Sequence, residues 1–116
     1  MPDGSRPDRV AEEFREVLAE EVLKLKDPRV GFVTITGVDV SPDLRHAVVF
    51  YTAMGEEKAR KATSAGLRSA AGRLRSALGR EIRLKFLPDI EFREDRSLER
   101  GKRIDELLRE LHREDE

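Results

Sequence analysis

The sequence predicts a small α+β domain in which helices cover one short sheet. Residues 10–25 repeat apolar side chains at steps of three and four, as one face of an amphipathic helix does. Residues 30–53 contain two neighbouring runs of β-branched residues, and a second stretch with helical spacing follows them. With 116 residues, 38% of them hydrophobic, the chain has the size and apolar content of one domain. We expect a single domain over 1–116, with a short flexible leader at about 1–7 and a charged tail at about 112–116.

The first helix is predicted to begin with Asp8 as its N-cap and to end at Asp27-Pro28. The run VGFVTITGVDV (30–40) alternates like a strand, but its apolar phase changes near Gly37, which indicates a bulge or twist. Ser41-Pro42-Asp43 has turn chemistry, and LRHAVVFYTA (44–53) is a second strand-like run. These two runs predict an antiparallel hairpin.

After Gly55, residues 56–78 carry a narrow stripe of mostly small apolar residues, typical of a helix packed on a sheet. Gly72 in this stretch is explained equally well by close helix-on-sheet packing or by a kink between two helices. The run IRLKF (82–86) alternates and continues through LPDIEF, which predicts a third strand that Pro88 places at an edge or a break. Ser97 is the predicted cap of a last helix. Its apolar residues are Ile104, Leu107, Leu108 and Leu111.

Several function classes are excluded or disfavoured by composition. The chain has no cysteine, which rules out disulfides, zinc-thiolate sites and thiol catalysis. No apolar run is long enough for a signal peptide or a membrane span, so we expect a soluble cytoplasmic protein. His46 and His112 have no nucleophile in a recognisable motif, and Gly101-Lys102 lacks the rest of a phosphate-binding loop. We therefore expect a protein that is not an enzyme and needs no metal or cofactor.

The charge is strongly segregated along the chain, although the net charge is only -1. Residues 58–86, called the basic segment here, contain 9 Lys/Arg and one acidic residue, Glu81. The flanking regions are acidic, with 7 basic against 12 acidic residues before it and 7 against 11 after it. A run of cations is often only a solvated face, but a helix that omits acidic residues forgoes the attraction between opposite charges one turn apart. This pattern favours binding to RNA or DNA.

Three strings closely resemble the bacterial ribosome-binding factor A family, in order and spacing: KDPRVGFVTITGVDVSPDLRHA (26–47), AAGRLRSALGREIRLKFLPDIEF (70–92) and SLERGKRIDELL (97–108). The resemblance implies a KH-like fold of the second topological type, ordered helix-strand-strand-helix-kink-helix-strand-helix, with helices on a three-stranded sheet. In that family the GxxG loop of KH domains is replaced by a helix-kink-helix with an Ala-x-Gly signature. Here the signature is Ala70-Ala71-Gly72.

The same resemblance implies a non-catalytic, monomeric assembly factor that binds the free 30S subunit, assists late maturation and 5′-end processing of 16S rRNA, and matters most in the cold. Its partners would be 16S rRNA and the 30S subunit, with no membrane and no small-molecule substrate. The candidate RNA-binding residues are Arg45, His46, Lys61, Arg68, Arg73, Arg75, Arg80, Arg83, Lys85 and Arg100. Since aromatic residues are only 5% of the chain, recognition is expected to rest on phosphates and shape rather than base stacking. A general KH-like RNA-binding module and a protein-interaction domain without an RNA target are the alternatives.

Overall fold

A computed structural model describes residues 5–95, which form two helices and three strands. In chain order these are α1 (Ser5–Leu23), β1 (Val33–Val40), β2 (His46–Ala53), α2 (Glu57–Glu81) and β3 (Asp89–Glu94). The α+β class predicted from the sequence is confirmed. The predicted helix after Ser97, Arg100 and the charged tail lie outside the described residues, as does most of the leader.

The three strands form one mixed sheet in the order β1-β2-β3. β1 and β2 are antiparallel, as the hairpin prediction required, and the register shifts between Ile35 and Gly37. The bulge expected near Gly37 is therefore present. β3 pairs with β2 in parallel, so α2 forms the crossover that a parallel pair needs.

The third strand, predicted somewhere in the region from Ile82 through Phe92, is confirmed and occupies Asp89–Glu94. Residues 82–88 are a loop, and the strand starts at Asp89. The alternation in this loop arises because Ile82 and Leu84 are half-buried while Arg83 and Lys85 are exposed, not because the backbone pairs in the sheet. Pro88, which has no N–H to give to a ladder, is fully buried directly before the strand.

The core lies between one face of the sheet and the two helices. Phe14 and Leu18 of α1 are completely buried, which confirms the first amphipathic stripe. The other large buried side chains of the core are Val49, Tyr51, Leu67, Leu74 and Leu78. Each buried Leu, Val or Phe contributes about 1.5–3 kcal/mol relative to an exposed position, so this cluster fixes the rotation of both helices against the sheet.

α2 runs as one continuous helix from Glu57 to Glu81 with no break into two helices at Gly72, and the kink at Ala70-Ala71-Gly72 stays a prediction. Ala70 and Ala71 continue the same helix, and Gly72 is exposed. The alternative explanation, close packing of the helix on the sheet at Gly72, is wrong, because a Cβ added there would meet nothing within 4 Å. A glycine costs a helix about 1 kcal/mol, which the buried leucines on both sides of Gly72 offset.

Close backbone approach occurs instead at two other glycines of α2. A Cβ on Gly66 would lie 2.5 Å from Cγ2 of Val30, and a Cβ on Gly79 would lie 2.6 Å from Cδ2 of Leu87. Both distances are shorter than real Cβ contacts, so the loops before β1 and β3 pack against α2 at positions without a side chain. Neither helix of residues 5–95 combines the length and apolarity that crossing a bilayer requires.

Candidate nucleic-acid interface

The outward side of α2 carries the central part of the basic segment. The buried residues Leu67, Leu74 and Leu78 turn one side of the helix to the core. Arg68 and Arg73 are exposed on the remaining surface, together with Arg80. Arg73 and Arg80 are seven residues apart, nearly two full turns, and therefore lie in one row along the helix about 10 Å apart.

Five of the candidate cations, called the free cations here, are exposed and form no ion pair within residues 5–95. They are Arg68, Arg73, Arg80, Arg83 and Lys85. A guanidinium or ammonium without a carboxylate partner does not have to break an existing pair before it binds a phosphate. The sequence-based interpretation of these positions as an electrostatic surface is thus compatible with the structure.

Other cations of the basic segment are engaged within the fold. Arg75 donates from Nε to the carbonyl oxygen of Pro88 at 2.8 Å and from Nη2 to that of Leu87 at 3.3 Å. Its Nη2 also lies 3.6 Å from Oδ1 of Asp89. Arg75, a predicted phosphate contact, therefore ties the loop before β3 to α2.

Lys61 and Arg60 are also paired. Lys61 Nζ lies 3.4 Å from Oε1 of Glu57, one turn earlier on the exposed face. Arg60 Nε lies 3.2 Å from Oε1 of Glu94 on β3, although the two groups are not aligned for a hydrogen bond. The exposed Lys61 pair is weak and can exchange for a phosphate, whereas the Arg60 pair is half-buried and braces α2 against the sheet.

The turn of the hairpin brings Arg45 and His46 to the end of the sheet where the 82–86 loop lies. The Arg45 guanidinium carbon is 4.2 Å from the ring centroid of Phe86, a cation–π contact across forty residues of sequence. His46 Nδ1 lies 3.8 Å from Oδ2 of Asp89. Arg45 and His46 are distant from the basic segment in sequence. In the fold they lie next to its C-terminal end.

The geometry of this turn is fixed by Asp43. Its Oδ1 accepts hydrogen bonds from the Ser41 hydroxyl at 2.6 Å and from the Arg45 backbone N–H at 3.0 Å. These hydrogen bonds, that of Ser41 first, lower the pKa of Asp43 below its usual range, so the carboxylate is ionised at neutral pH. Leu44 has a φ of 62°, the left-handed region that non-glycine residues rarely adopt.

A cavity of about 450 Å³ opens between α1, this turn and the 82–86 loop. Arg45, Arg83 and Lys85 lie at it together with Phe86, whose side chain is 47% exposed. Sequence reasoning missed Phe86 because a low total of aromatic residues says nothing about where a single ring lies. The signal that could have found it is local: in RLKF (83–86) the aromatic residue directly follows Lys85 and lies three residues after Arg83.

Residues 5–95 bring together no group of three or more His, Asp or Glu side chains that could hold a metal. His46, the histidine within this range, contacts Asp89 rather than a hydroxyl nucleophile. The candidate site contains exposed cations and one aromatic ring. Arg100, the remaining predicted RNA-binding residue, lies outside the described residues.

Comparison with known proteins identifies relatives over nearly the whole chain. The family model described as ribosome-binding factor A matches residues 6–108. The ribosome-binding factor A of Geobacter sulfurreducens is 48% identical over 111 residues, which cover 95% of this chain and 94% of the relative.

Solved structures of the family share the fold. The crystal structure of ribosome-binding factor A from Thermus thermophilus matches with a TM-score of 0.70 at 32% identity, over 78% of this chain and 98% of that one. A homology model of the Thermus thermophilus factor, fitted into the cryo-EM map of its complex with the 30S subunit, matches with a TM-score of 0.63 at 34% identity. It covers 74% of this chain and 91% of that one. The KH-like fold expected from the sequence is confirmed.

Proposed function

The chain belongs to the ribosome-binding factor A family, and from this premise we propose that it binds the free 30S ribosomal subunit by contacting 16S rRNA. The contacts are made by the free cations of α2 and of the loop after it, and no bond is made or broken by the protein. The observation that carries the proposal is that these five cations are exposed and have no carboxylate partner within residues 5–95. The relative fitted into a 30S complex supports the same partner.

Within this proposal the protein acts as a monomer in the cytoplasm, late in small-subunit assembly. It assists maturation of 16S rRNA, including processing of the 5′ end, and its contribution is greatest in the cold. The surface suits such a role because phosphate contacts position a protein on a folded RNA without reading its sequence. Recognition of an immature particle then depends on where the RNA places its phosphates.

Sedimentation tests the proposal. The full-length protein is mixed with free 30S subunits, joined 70S ribosomes and an unrelated structured RNA, and its position in the gradient is compared. We expect co-sedimentation with free 30S subunits in preference to the other two. Equal retention on all three would contradict a subunit-specific role and favour a general RNA-binding module. Failure to bind any of them would contradict RNA binding altogether.

A charge reversal locates the surface. The double variant R73E/R80E is expected to lose subunit binding and to lower the slope of log K against log salt by about 2, one for each phosphate that is no longer neutralised. The double variant K26E/K58E changes the net charge equally at two exposed lysines that are not candidate RNA-binding residues, one after α1 and one in the first turn of α2, at the opposite end of the sheet from the hairpin turn. It is the matched control and should bind like the unaltered protein. Equal losses of binding in both variants would show that only total charge matters.

A further inference from the structure

The cavity at the hairpin turn differs from the rest of the candidate surface because it offers more than charge. Its lining includes the half-buried side chains of Leu44, Ile82 and Leu84 together with exposed cations and one exposed ring. The volume of about 450 Å³ lies within the range of about 300–1,000 Å³ typical of pockets for small ligands. A partly apolar pocket that is also lined by charged groups suits a planar ring with polar atoms along its edge, attached to an anionic group.

The Arg45–Phe86 pair provides a stacking platform. The guanidinium lies 4.2 Å from the ring centroid, and nearly half of the Phe86 side chain remains exposed. Unpaired RNA bases stack on aromatic rings and on arginine planes, which is the usual way proteins hold a splayed nucleotide. Arg83 and Lys85 lie on the same cavity, where either can contact the phosphate of that nucleotide.

Two carboxylates give the cavity acceptors for a base edge. Glu13 of α1 is exposed on the cavity, and Asp43 lines it from the turn. Both hydrogen bonds that hold Asp43 within the turn go to Oδ1, which leaves Oδ2 as an acceptor. Carboxylates accept hydrogen bonds from exocyclic amino groups, which adenine, cytosine and guanine have and uracil lacks.

We infer that this cavity binds one unstacked RNA nucleotide, with the base on the Arg45–Phe86 platform, and that it selects bases carrying an exocyclic amino group over uracil. The inference rests on the proposed binding to rRNA and adds a base-reading site to it. The other exposed aromatic residue of residues 5–95 does not fit this role. Phe32 is 83% exposed, but it lies next to Leu23 and Val22 in an apolar groove. No cation of residues 5–95 lines this groove.

Fluorescence anisotropy with labelled pentanucleotides C5 and U5 tests the platform. The full-length protein is compared with F86L and with the matched control F32L, which removes an exposed ring at the opposite end of the sheet. We expect F86L to bind C5 about tenfold more weakly, as removal of one stacked base predicts, with an unchanged salt slope because every phosphate contact remains. F32L should bind normally. Equal affinity of F86L and F32L would overturn the stacking site.

The base preference has its own test. We expect tighter binding of C5 than of U5, and a smaller difference in the E13A variant, which removes one carboxylate acceptor and leaves Asp43 in place to hold the turn. Equal binding of C5 and U5 by the unaltered protein would overturn the selectivity. If F86L binds both RNA and 30S subunits normally while R73E/R80E fails to bind the subunits, the nucleotide site fails and the proposed function stands. If Phe86-dependent binding of C5 occurs without retention on 30S subunits, the nucleotide site stands and the proposed function fails.

Discussion

Gly66 of α2 faces Val30 of the loop before β1 so closely that a Cβ on the glycine would come 2.5 Å from Val30 Cγ2. We predict that G66A destabilises the protein by about 1 kcal/mol, because overpacking of about 1–3 kcal/mol exceeds the gain in helix propensity of about 1 kcal/mol. Urea unfolding measures the change. The double variant V30A/G66A should lose less stability than the sum of its single variants, since the shorter side chain makes room. A G66A protein as stable as the parent would contradict this contact.

At Gly72, unlike at Gly66, we expect substitution by alanine to stabilise the protein. A Cβ there meets nothing within 4 Å, so G72A should raise the free energy of unfolding by about 0.5–1 kcal/mol through helix propensity. G72L should also leave the fold intact, yet weaken 30S binding because a bulky side chain then stands beside Arg73 on the exposed face. Destabilisation by G72L would show that Gly72 packs closely after all, and unchanged binding would show that this face does not contact RNA.

Arg73 and Arg75 are two residues apart in α2, but their side chains make different contacts. R75Q removes hydrogen bonds to the carbonyl groups of Leu87 and Pro88 and should cost about 1–2 kcal/mol. R73Q removes an exposed cation and should change stability by less than about 0.5 kcal/mol while weakening RNA binding. Thermal unfolding and RNA binding measured on both variants separate the two roles. Equal stability of the two variants would contradict the bracing role of Arg75.

Asp43 predicts a pH dependence of stability. Hydrogen bonds from Ser41 and Arg45, with the nearby charges of His46 and Arg45, lower the pKa of Asp43 in the folded protein. The stabilisation is therefore fully present above the ordinary aspartate pKa of about 3.9 and is lost as the pH falls through the lower folded-state pKa. The melting temperature of D43N should lie below that of the parent at pH 7, and the difference should shrink below about pH 4. A difference that stays constant down to about pH 2 would contradict this.

Much of the fold could be predicted from local patterns. The stripe containing Phe14 and Leu18, the hairpin and the bulge near Gly37 each depend on spacing or turn chemistry within about a dozen residues. The sequence left the position of β3 open because IRLKF (82–86) alternates whether it lies in a strand or in a loop with one buried side. Only the pairing with β2, more than thirty residues earlier, distinguishes the two cases.

The positive charge of the candidate site could be predicted from the sequence, but the contacts that its side chains make could not. The basic segment identified the exposed arginines, yet nothing near Arg75 in the sequence shows that its partners are two backbone carbonyl groups. The glycines at which loops approach α2 closely could not be predicted for the same reason. Gly66, Gly72 and Gly79 all have helical neighbours, and only the loops that pack against them distinguish the first and last from Gly72.

Within residues 5–95, β1 and β3 are the two outer strands of the sheet, and each has a feature that hinders pairing with another chain. In β1 the register shift after Ile35 interrupts the regular ladder that an incoming strand would need. In β3 the sequence DIEFRE places a charged residue at every second position or more often, which penalises docking of an apolar strand. Among the described residues, both edges of the sheet therefore carry a feature that hinders edge-to-edge pairing with a strand of another molecule.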